Sequence, residues 1–277
     1  MRTIPILMYH SVADQVDARY KTWAVTPSRF ASQMAALSEN GYSVFGISTI
    51  LRRLDAGLPL PQKFVALTFD DGLQDFLIGA FPILEENRFQ ATLYVVAGRV
   101  ASSSNWLATL GEGDRPMLRV EEIRDLHFNG IEIGAHSLTH PELDLLNRKA
   151  CEREIRDSRL VLEDMIGARV STFAYPHGYA SPTTRQLVHE AGYASAVRVR
   201  HALSHASENR YGLSRLIVTQ KHDPEGLIAL LEGKGIPTAP PQDRLAGTCW
   251  RIARRIRNRL KPPLTGDGPF MPAGGRI

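Results

Sequence analysis

The sequence predicts an α/β protein with a closed or nearly closed (β/α) barrel. Short apolar runs alternate with amphipathic helical patterns along most of the 277 residues. Such alternation is typical of parallel strands that are covered by helices. About seven apolar runs fit a barrel better than a short open sheet, although the pattern by itself is compatible with both.

Seven apolar segments are predicted to form the strands. The run ATLYVVAG is apolar throughout, as expected for a strand that is buried on both faces. In chain order the seven segments cover residues 4–10, 63–72, 91–98, 131–137, 170–178, 193–199 and 211–218.

Six segments between and after these runs have the pattern of helices. In the first of them Thr26 can cap the helix, Pro27 suits the first turn and Gly41 stops the pattern. The six segments cover residues 26–41, 76–88, 119–130, 147–167, 182–192 and 223–233.

Composition separates a main domain, residues 1–236, from a C-terminal segment, residues 237–277. The net charge is +4, and the stretch CWRIARRIRNRLK holds much of the positive excess. The main domain is therefore close to neutral, and no nucleic-acid surface is predicted. The C-terminal segment has the composition of a Pro-rich linker, a basic amphipathic helix and a disordered tail.

The basic helix has two interpretations. Trp250, Ile252, Ile256 and Leu260 lie near one face with arginines opposite, which would permit peripheral contact with an anionic membrane. A charged helix packed on the barrel explains the pattern equally well. The first apolar run is too short for a secretory signal and no run has the length of a membrane span, so we expect a cytoplasmic protein.

Polar residues that carry chemistry follow several predicted strands at the point where each strand ends. His10 follows ILMY, Asp70 and Asp71 follow LTF, His136 follows IEIGA, and the motif YPHG follows VSTFA. In a parallel barrel the carboxyl ends of the strands form the active site. We therefore expect these groups to meet at one end of the barrel.

The motif HSLTH and the aspartate pair together indicate a metal site. His136 and His140 are four residues apart, so in a helical turn both imidazoles would face one cation, although two partly exposed helix histidines are an equally common cause of this spacing. Asp71 adds an oxygen ligand, and two histidines with one carboxylate suit a divalent metal in hydrolysis. Zinc fits this set, and cobalt, nickel or iron fit it almost as well. Asp70 then remains free to accept a proton from the activated water.

TFDDG and HSLTH together resemble the first two motifs of the polysaccharide deacetylases, the NodB-homology domain or carbohydrate esterase family 4. The resemblance spans roughly the N-terminus to residue 235. It implies a distorted (β/α)7 barrel and an enzyme that removes N- or O-acetyl groups from sugars. By position it implies that Asp70 is the general base and Asp71 the metal carboxylate. His136 and His140 would be the metal imidazoles.

The start of the chain, LMYH, resembles a subgroup that deacetylates poly-N-acetylglucosamine exopolysaccharides. In that subgroup the barrel is circularly permuted and the acid histidine comes first, which implies that His10 protonates the leaving amine. The usual Leu-any-His segment is absent near the end of the domain. His222 there lies in a polar helix-start setting typical of a structural or surface residue.

The third motif departs from the family pattern of Arg, any residue, Pro, Tyr, Gly. FAYPHG has Ala174 in place of the arginine that orients the base, and His177 in place of the tyrosine. Arg215, in LSRLIV, is the candidate substitute for that arginine. Tyr175 and His177 are the other candidates for substrate or oxyanion contacts, and the backbone N–H of His177 can donate whatever its side chain is.

These observations predict a metal-dependent deacetylase that acts on an N-acetylated sugar or polysaccharide, either poly-N-acetylglucosamine-like or lipid-linked. Two alternatives remain open. The same fold can hydrolyse another amide, such as a cyclic imide or ureide. The altered third motif is compatible with a catalytically inactive carbohydrate-binding module. Such a module, however, would not need all five of the residues Asp70, Asp71, His136, His140 and His10.

Overall fold

Seven parallel strands close into a barrel in the computed structural model, which describes residues 3–240. The strands of the whole described chain are β1 Thr3–Ile4, β2 Ile6–Tyr9, β3 Ser11–Val12, β4 Ala24–Val25, β5 Ser43–Phe45, β6 Phe64–Phe69, β7 Thr92–Val95, β8 Glu132–Ala135, β9 Thr172–Ala174, β10 Ser195–His201, β11 Ser204–His205 and β12 Leu213–Ile217. The α-helices are α1 Pro27–Glu39, α2 Ile47–Asp55, α3 Phe81–Asn87, α4 Val120–Phe128, α5 Arg148–Ile166, α6 Pro182–Glu190 and α7 Pro224–Leu231.

The barrel strands follow the order β2, β12, β10, β9, β8, β7, β6, and β6 returns to β2. At that closure Ile6 lies opposite Ala66 and Tyr9 opposite Phe69, in parallel register. The predicted α/β class, the parallel strands and the count of seven are therefore confirmed.

An eighth short strand, β5, distorts the barrel next to this closure. It pairs with the first half of β6, with Ser43 opposite Phe64, while β7 pairs with the second half, with Phe69 opposite Leu93. Neither β5 nor α2 was predicted. The three residues of β5 are too few to show a strand period.

Alternation along the strands separates two apolar cores. Val65 and Leu67 of β6 point outward and belong to the larger cluster, together with Phe30 and Met34 of α1. Phe64 points into the barrel, where it joins an inner cluster with residues of α2. Because Phe64 begins its strand, α2 closes the N-terminal end of the barrel and leaves the carboxyl ends free for chemistry.

Two loops at the carboxyl end form what we call the covering layer, residues 11–25 and 101–118. They share a separate apolar cluster that includes Tyr20 and Leu107. The backbone N–H of Asp17 donates to Glu112, which joins the two loops.

Helix boundaries largely follow the predicted signals. The Thr26 side chain accepts a hydrogen bond from the Arg29 amide at 3.2 Å and Pro27 begins α1, as expected for a capped N-terminus. The predicted helix over 76–88 instead begins as a π-helical turn, Phe76–Ala80, before α3. Gly79 in this turn packs directly on the carbonyl oxygen of Val12 in β3.

Only the first residues of the predicted C-terminal segment, 237–240, lie within the described part of the chain. The Leu203 amide donates to the Pro237 carbonyl and the Ala239 amide to the Leu203 carbonyl, so residues just beyond 236 pair with the barrel domain. The predicted basic helix and tail lie outside the described residues, and membrane contact through them stays a prediction. Within residues 3–240, no helix combines the length and apolar character needed to cross a membrane.

We expect Gly79→Ala to lower the free energy of unfolding by about 1–3 kcal/mol, because overpacking against fixed backbone costs that much. The added Cβ would overlap the Val12 carbonyl oxygen. Ile78 in the same turn is 72% exposed, so Ile78→Ala should change stability by no more than about 0.5 kcal/mol. Urea unfolding of both variants checks this, and equal midpoints would contradict the packing argument.

Candidate active site

The polar groups predicted at the strand ends meet at the carboxyl end of the barrel. His10 directly follows β2, Asp70 and Asp71 follow β6, and His136 follows β8. The two aspartates and His136 are each 2% exposed, whereas the His10 side chain is 17% exposed. The two aspartates and His136 are thus buried, and His10 is the more solvent-accessible of these residues.

Asp71, His136 and His140 form a compact ligand set. The Asp71 Oδ1 atom lies 3.6 Å from His136 Nε2 and 3.4 Å from His140 Nε2. One potential ligand atom from each residue lies within 4.8 Å of the others, and all three residues are buried. This spacing is suitable for a single cation between them.

The loop that carries both histidines is not the helical turn expected from the sequence. Residues 136–140 have no helical assignment, and Ser137 and His140 adopt positive φ angles of 62° and 65°. These two left-handed residues reverse the chain and bring the imidazoles together, with ring centroids 4.8 Å apart. The expectation of helical spacing was wrong, although its consequence, two imidazoles facing one point, is present.

Glu154 of α5 stabilises this loop through hydrogen bonds. Its carboxylate accepts hydrogen bonds from the backbone amides of Leu138 and Thr139, at 3.0 and 2.8 Å, and from the Thr139 hydroxyl at 2.7 Å. The His140 amide donates to the Ser137 hydroxyl at 3.0 Å. The strained backbone is therefore supported by hydrogen bonds at both ends.

The protonation states in this cluster suit a cation. His136 Nδ1 lies 2.9 Å from the Ala174 carbonyl oxygen, which can only accept, so Nδ1 carries the proton and Nε2 presents a lone pair to Asp71. Burial lowers the pKa of both His136 and His140, which keeps them neutral. Burial, with Asp70 and Asp75 nearby, raises the pKa of Asp71 well above its usual range. The Asp71 oxygen and the histidine nitrogens thus face one another as electron-pair donors, an arrangement that a divalent metal between them would stabilise.

Arg215 holds the other aspartate. From β12 its guanidinium makes two hydrogen bonds to the Asp70 carboxylate, both 2.6 Å, and the arginine is fully buried. Its Nε donates to the Arg198 carbonyl at 3.3 Å, and Nη1 to the Thr68 hydroxyl at 3.2 Å. Burial alone would raise the pKa of Asp70, but the Arg215 charge outweighs it and lowers that pKa to about 2. Arg215 thus lies where the missing arginine of the third motif would be needed.

His10 lies next to Asp70. Its Nε2 is 3.9 Å from Asp70 Oδ2, and its ring centroid is 4.8 Å from that of Trp23. Burial lowers the pKa of His10 to about 4, although the Asp70 charge partly opposes this. His10 is therefore neutral near pH 7 and lies close to Asp70, although beyond direct hydrogen-bond distance.

The altered third motif contributes one residue to the site and one to the core. His177 adopts a φ of 57°, and its ring centroid lies 4.7 Å from that of His140. Tyr175 is fully buried, its hydroxyl donates to the Tyr211 carbonyl at 2.8 Å, and its ring packs on Phe173. The Tyr175 side chain therefore has a packing role, and only its backbone adjoins the site.

Three residues at the site were missed or undervalued in the sequence. Trp106, interpreted mainly as packing, stacks on His140 with centroids 4.9 Å apart and an interplanar angle of 21°. Trp23 lies in a loop without periodicity, so no local pattern identified it. Glu154 did leave a signal, because it is a carboxylate on the otherwise apolar side of α5, among Cys151, Ile155 and Leu162.

Comparisons with known proteins agree with this geometry. A family model described as polysaccharide deacetylase matches residues 57–196. YxkH of Bacillus subtilis, whose name assigns it to the same family, is 26% identical over 216 residues, which cover 78% of this chain and 71% of YxkH. The poly-beta-1,6-N-acetyl-D-glucosamine N-deacetylase of Escherichia coli K12 is 35% identical over 106 residues, 38% of this chain but only 16% of the relative.

A solved structure shares the whole barrel. The deacetylase PplD of Streptococcus pyogenes, solved in complex with acetate, superposes with a TM-score of 0.73 and 25% identity, over 83% of this chain and 98% of PplD. The family match contains both aspartates and all three site histidines after β6, while His10 and Arg215 lie on either side of it. With about half of its 277 residues matched by the family model and its barrel shared with a solved deacetylase, this chain belongs to the polysaccharide deacetylase family.

Proposed function

We propose that this protein is a metal-dependent hydrolase that removes N-acetyl groups from an acetylated sugar or polysaccharide. The observation that carries the proposal is the position of Asp70. It lies next to the ligand set of Asp71 and the two histidines, is paired with Arg215, and lies 3.9 Å from His10. A base, an acid and a cation site in one pocket suit the hydrolysis of an amide.

Asp71, His136 and His140 would hold the metal. A divalent ion there would polarise the amide carbonyl and make water more acidic. Zinc suits two imidazoles and one carboxylate, and cobalt, nickel or iron would fit almost as well. The backbone N–H of His177, whose ring contacts His140, is the proposed donor to the oxyanion.

Asp70 and His10 would move the proton. Arg215 keeps Asp70 ionised at neutral pH, so it can accept a proton from the attacking water as the new C–O bond forms. His10 Nε2 lies 3.9 Å from Asp70 Oδ2, a separation that one bridging water can span, so the proton can pass from Asp70 to His10. His10 then gives it to the nitrogen as the C–N bond breaks, which yields acetate and a free amine.

The substrate class rests on the relatives. The Escherichia coli relative is named for poly-beta-1,6-N-acetyl-D-glucosamine, which supports an N-acetylglucosamine polymer or a lipid-linked sugar as substrate here. Acetate release from such oligomers tests this directly. Hydrolysis of cyclic imides or ureides without acetylated sugars would favour the other amide reaction, and binding without any hydrolysis would favour an inactive module.

The proposed metal site predicts that removing one ligand lowers the metal content of the protein. Wild-type protein should contain about one divalent ion per chain, and His136→Ala should lose most of it, because two ligands hold such an ion poorly. His189→Ala, at an exposed position of α6, is the matched control and should keep the ion. Elemental analysis of the three proteins measures this. A wild-type protein that stays empty after incubation with zinc or cobalt would contradict the site.

The acid role of His10 predicts a dependence on the leaving group. His10→Ala should lower kcat on an acetamide by about 10²–10⁴-fold, the usual contribution of a general acid. It should lower kcat far less on an aryl acetate, because a phenolate leaves without being protonated. Asp70→Asn is the control and should reduce both reactions. An equal loss on both substrates in His10→Ala would overturn the assignment.

The positioning role of Arg215 predicts a shift in the pH profile. Arg215→Met removes the cation that keeps Asp70 ionised, so the pKa of Asp70 rises. Because the base acts only when ionised, the acid limb of kcat/KM should move to higher pH. Arg215→Lys keeps the charge without the paired hydrogen bonds and should shift the limb less. An acid limb that stays in place in both variants would rule this role out.

A further inference from the structure

The covering layer presents two tryptophans to the site. Trp23 and Trp106 are both partly exposed, and each contacts a different site histidine. Trp23 adjoins His10, which neighbours Asp70, and Trp106 adjoins His140, which neighbours Asp71. The two indoles therefore contact the site at different histidines, and Trp23 is the one beside His10.

The two rings are used differently. Trp106 lies nearly parallel to the His140 ring, at 21°, and its Nε1 is buried without a hydrogen-bond acceptor among residues 3–240. This ring packs behind a proposed metal ligand. Trp23 is tilted by 54° against His10, so the contact does not cover its whole face.

The proposed reaction fixes which side the sugar occupies. In an N-acetylated sugar the ring is attached to the amide nitrogen, and the acetyl group lies on the other side of the scissile bond. His10 must reach that nitrogen, whereas the carbonyl carbon must face Asp70 and the ligand set. The sugar ring therefore lies on the His10 side, where Trp23 is the adjoining aromatic ring.

We propose that Trp23 is the surface on which the sugar ring bearing the scissile acetamide stacks, so that it selects ring-shaped amino sugars over acyclic acetyl compounds. This inference rests on the proposed function. Aromatic side chains offer a large rigid face at little entropic cost, and the apolar C–H face of a pyranose fits that face.

The covering layer holds Trp23 in place before substrate arrives. Arg115 fixes the 101–118 loop through an ion pair to Glu112 of the same loop, 3.1 Å, and one to Asp75 outside the layer, 2.6 Å. Arg19 donates to the Thr109 carbonyl at 3.2 Å, four residues before Trp23. The hydroxyl of Ser11, next to His10, donates to Asp75. A preorganised ring gives more of its contact energy to binding.

The test compares substrates with and without a sugar ring. Trp23→Ala should raise KM for β-linked N-acetylglucosamine oligomers about tenfold, the size of a lost aromatic contact. Trp23→Phe should recover much of this, and kcat/KM on an acyclic acetamide such as N-acetylethanolamine, which also needs a proton on its leaving nitrogen, should change far less than that on the oligomers. Phe128→Ala, which removes a ring that is 91% exposed on α4, is the matched control.

Two results would overturn the proposal. Either KM for the oligomers stays at the wild-type value in Trp23→Ala, or the acyclic acetamide suffers the same loss, which would mean that Trp23 acts only by positioning His10. Binding of the N-acetylglucosamine pentamer to Asp70→Asn, with and without Trp23→Ala, gives an independent readout. If wild-type protein releases no acetate, the proposed function fails, while equal binding by these two variants rejects the role of Trp23 separately.

Discussion

The buried ion pair between Arg215 and Asp70 is the interaction on which the rest of the site depends. A carboxylate and a guanidinium that are almost fully excluded from water are costly unless both are paired and hydrogen-bonded. Here the paired bonds to Asp70 and the further bonds to Thr68 and the Arg198 carbonyl satisfy the arginine. The pair also links β12 to the end of β6 across β2, so the position of Asp70 is fixed by the closure of the barrel itself.

This pair determines the charge that remains for a cation. Arg215 compensates the charge of Asp70 by direct pairing, whereas burial and the neighbouring charge of Asp70 raise the pKa of Asp71, so an ionised Asp71 would need a further cation beside it. The histidines beside it are kept neutral by burial. Asp70 is therefore paired with a permanent cation of the protein, whereas Asp71 is the aspartate available to the proposed divalent ion. Adjacent residues of the same type acquire different roles because their partners differ.

Strained backbone conformations occur at the same carboxyl end of the barrel. Asp71, Ser137, His140 and His177 are non-glycine residues with positive φ angles between 57° and 77°. Such conformations are sparsely populated and persist where surrounding structure supports them, often at functional sites. The Glu154 carboxylate supplies that support for the histidine loop, and Trp106 of the covering layer stacks on His140.

The sequence by itself determined the parallel α/β class and the candidate ligand and base residues. Strand and helix periods are local, and the groups that follow a parallel strand must emerge at one end of the sheet, which is why the chain alone identifies Asp70, Asp71, His136 and His10 as site residues. Only the tertiary structure decided the partner of Asp70, since Arg215 lies 145 residues away in the chain. It also decided the left-handed histidine loop, the inserted β5 and the position of Trp23. These features depend on barrel closure, strand register and loop packing, which bring distant residues together and leave no periodic pattern in the chain.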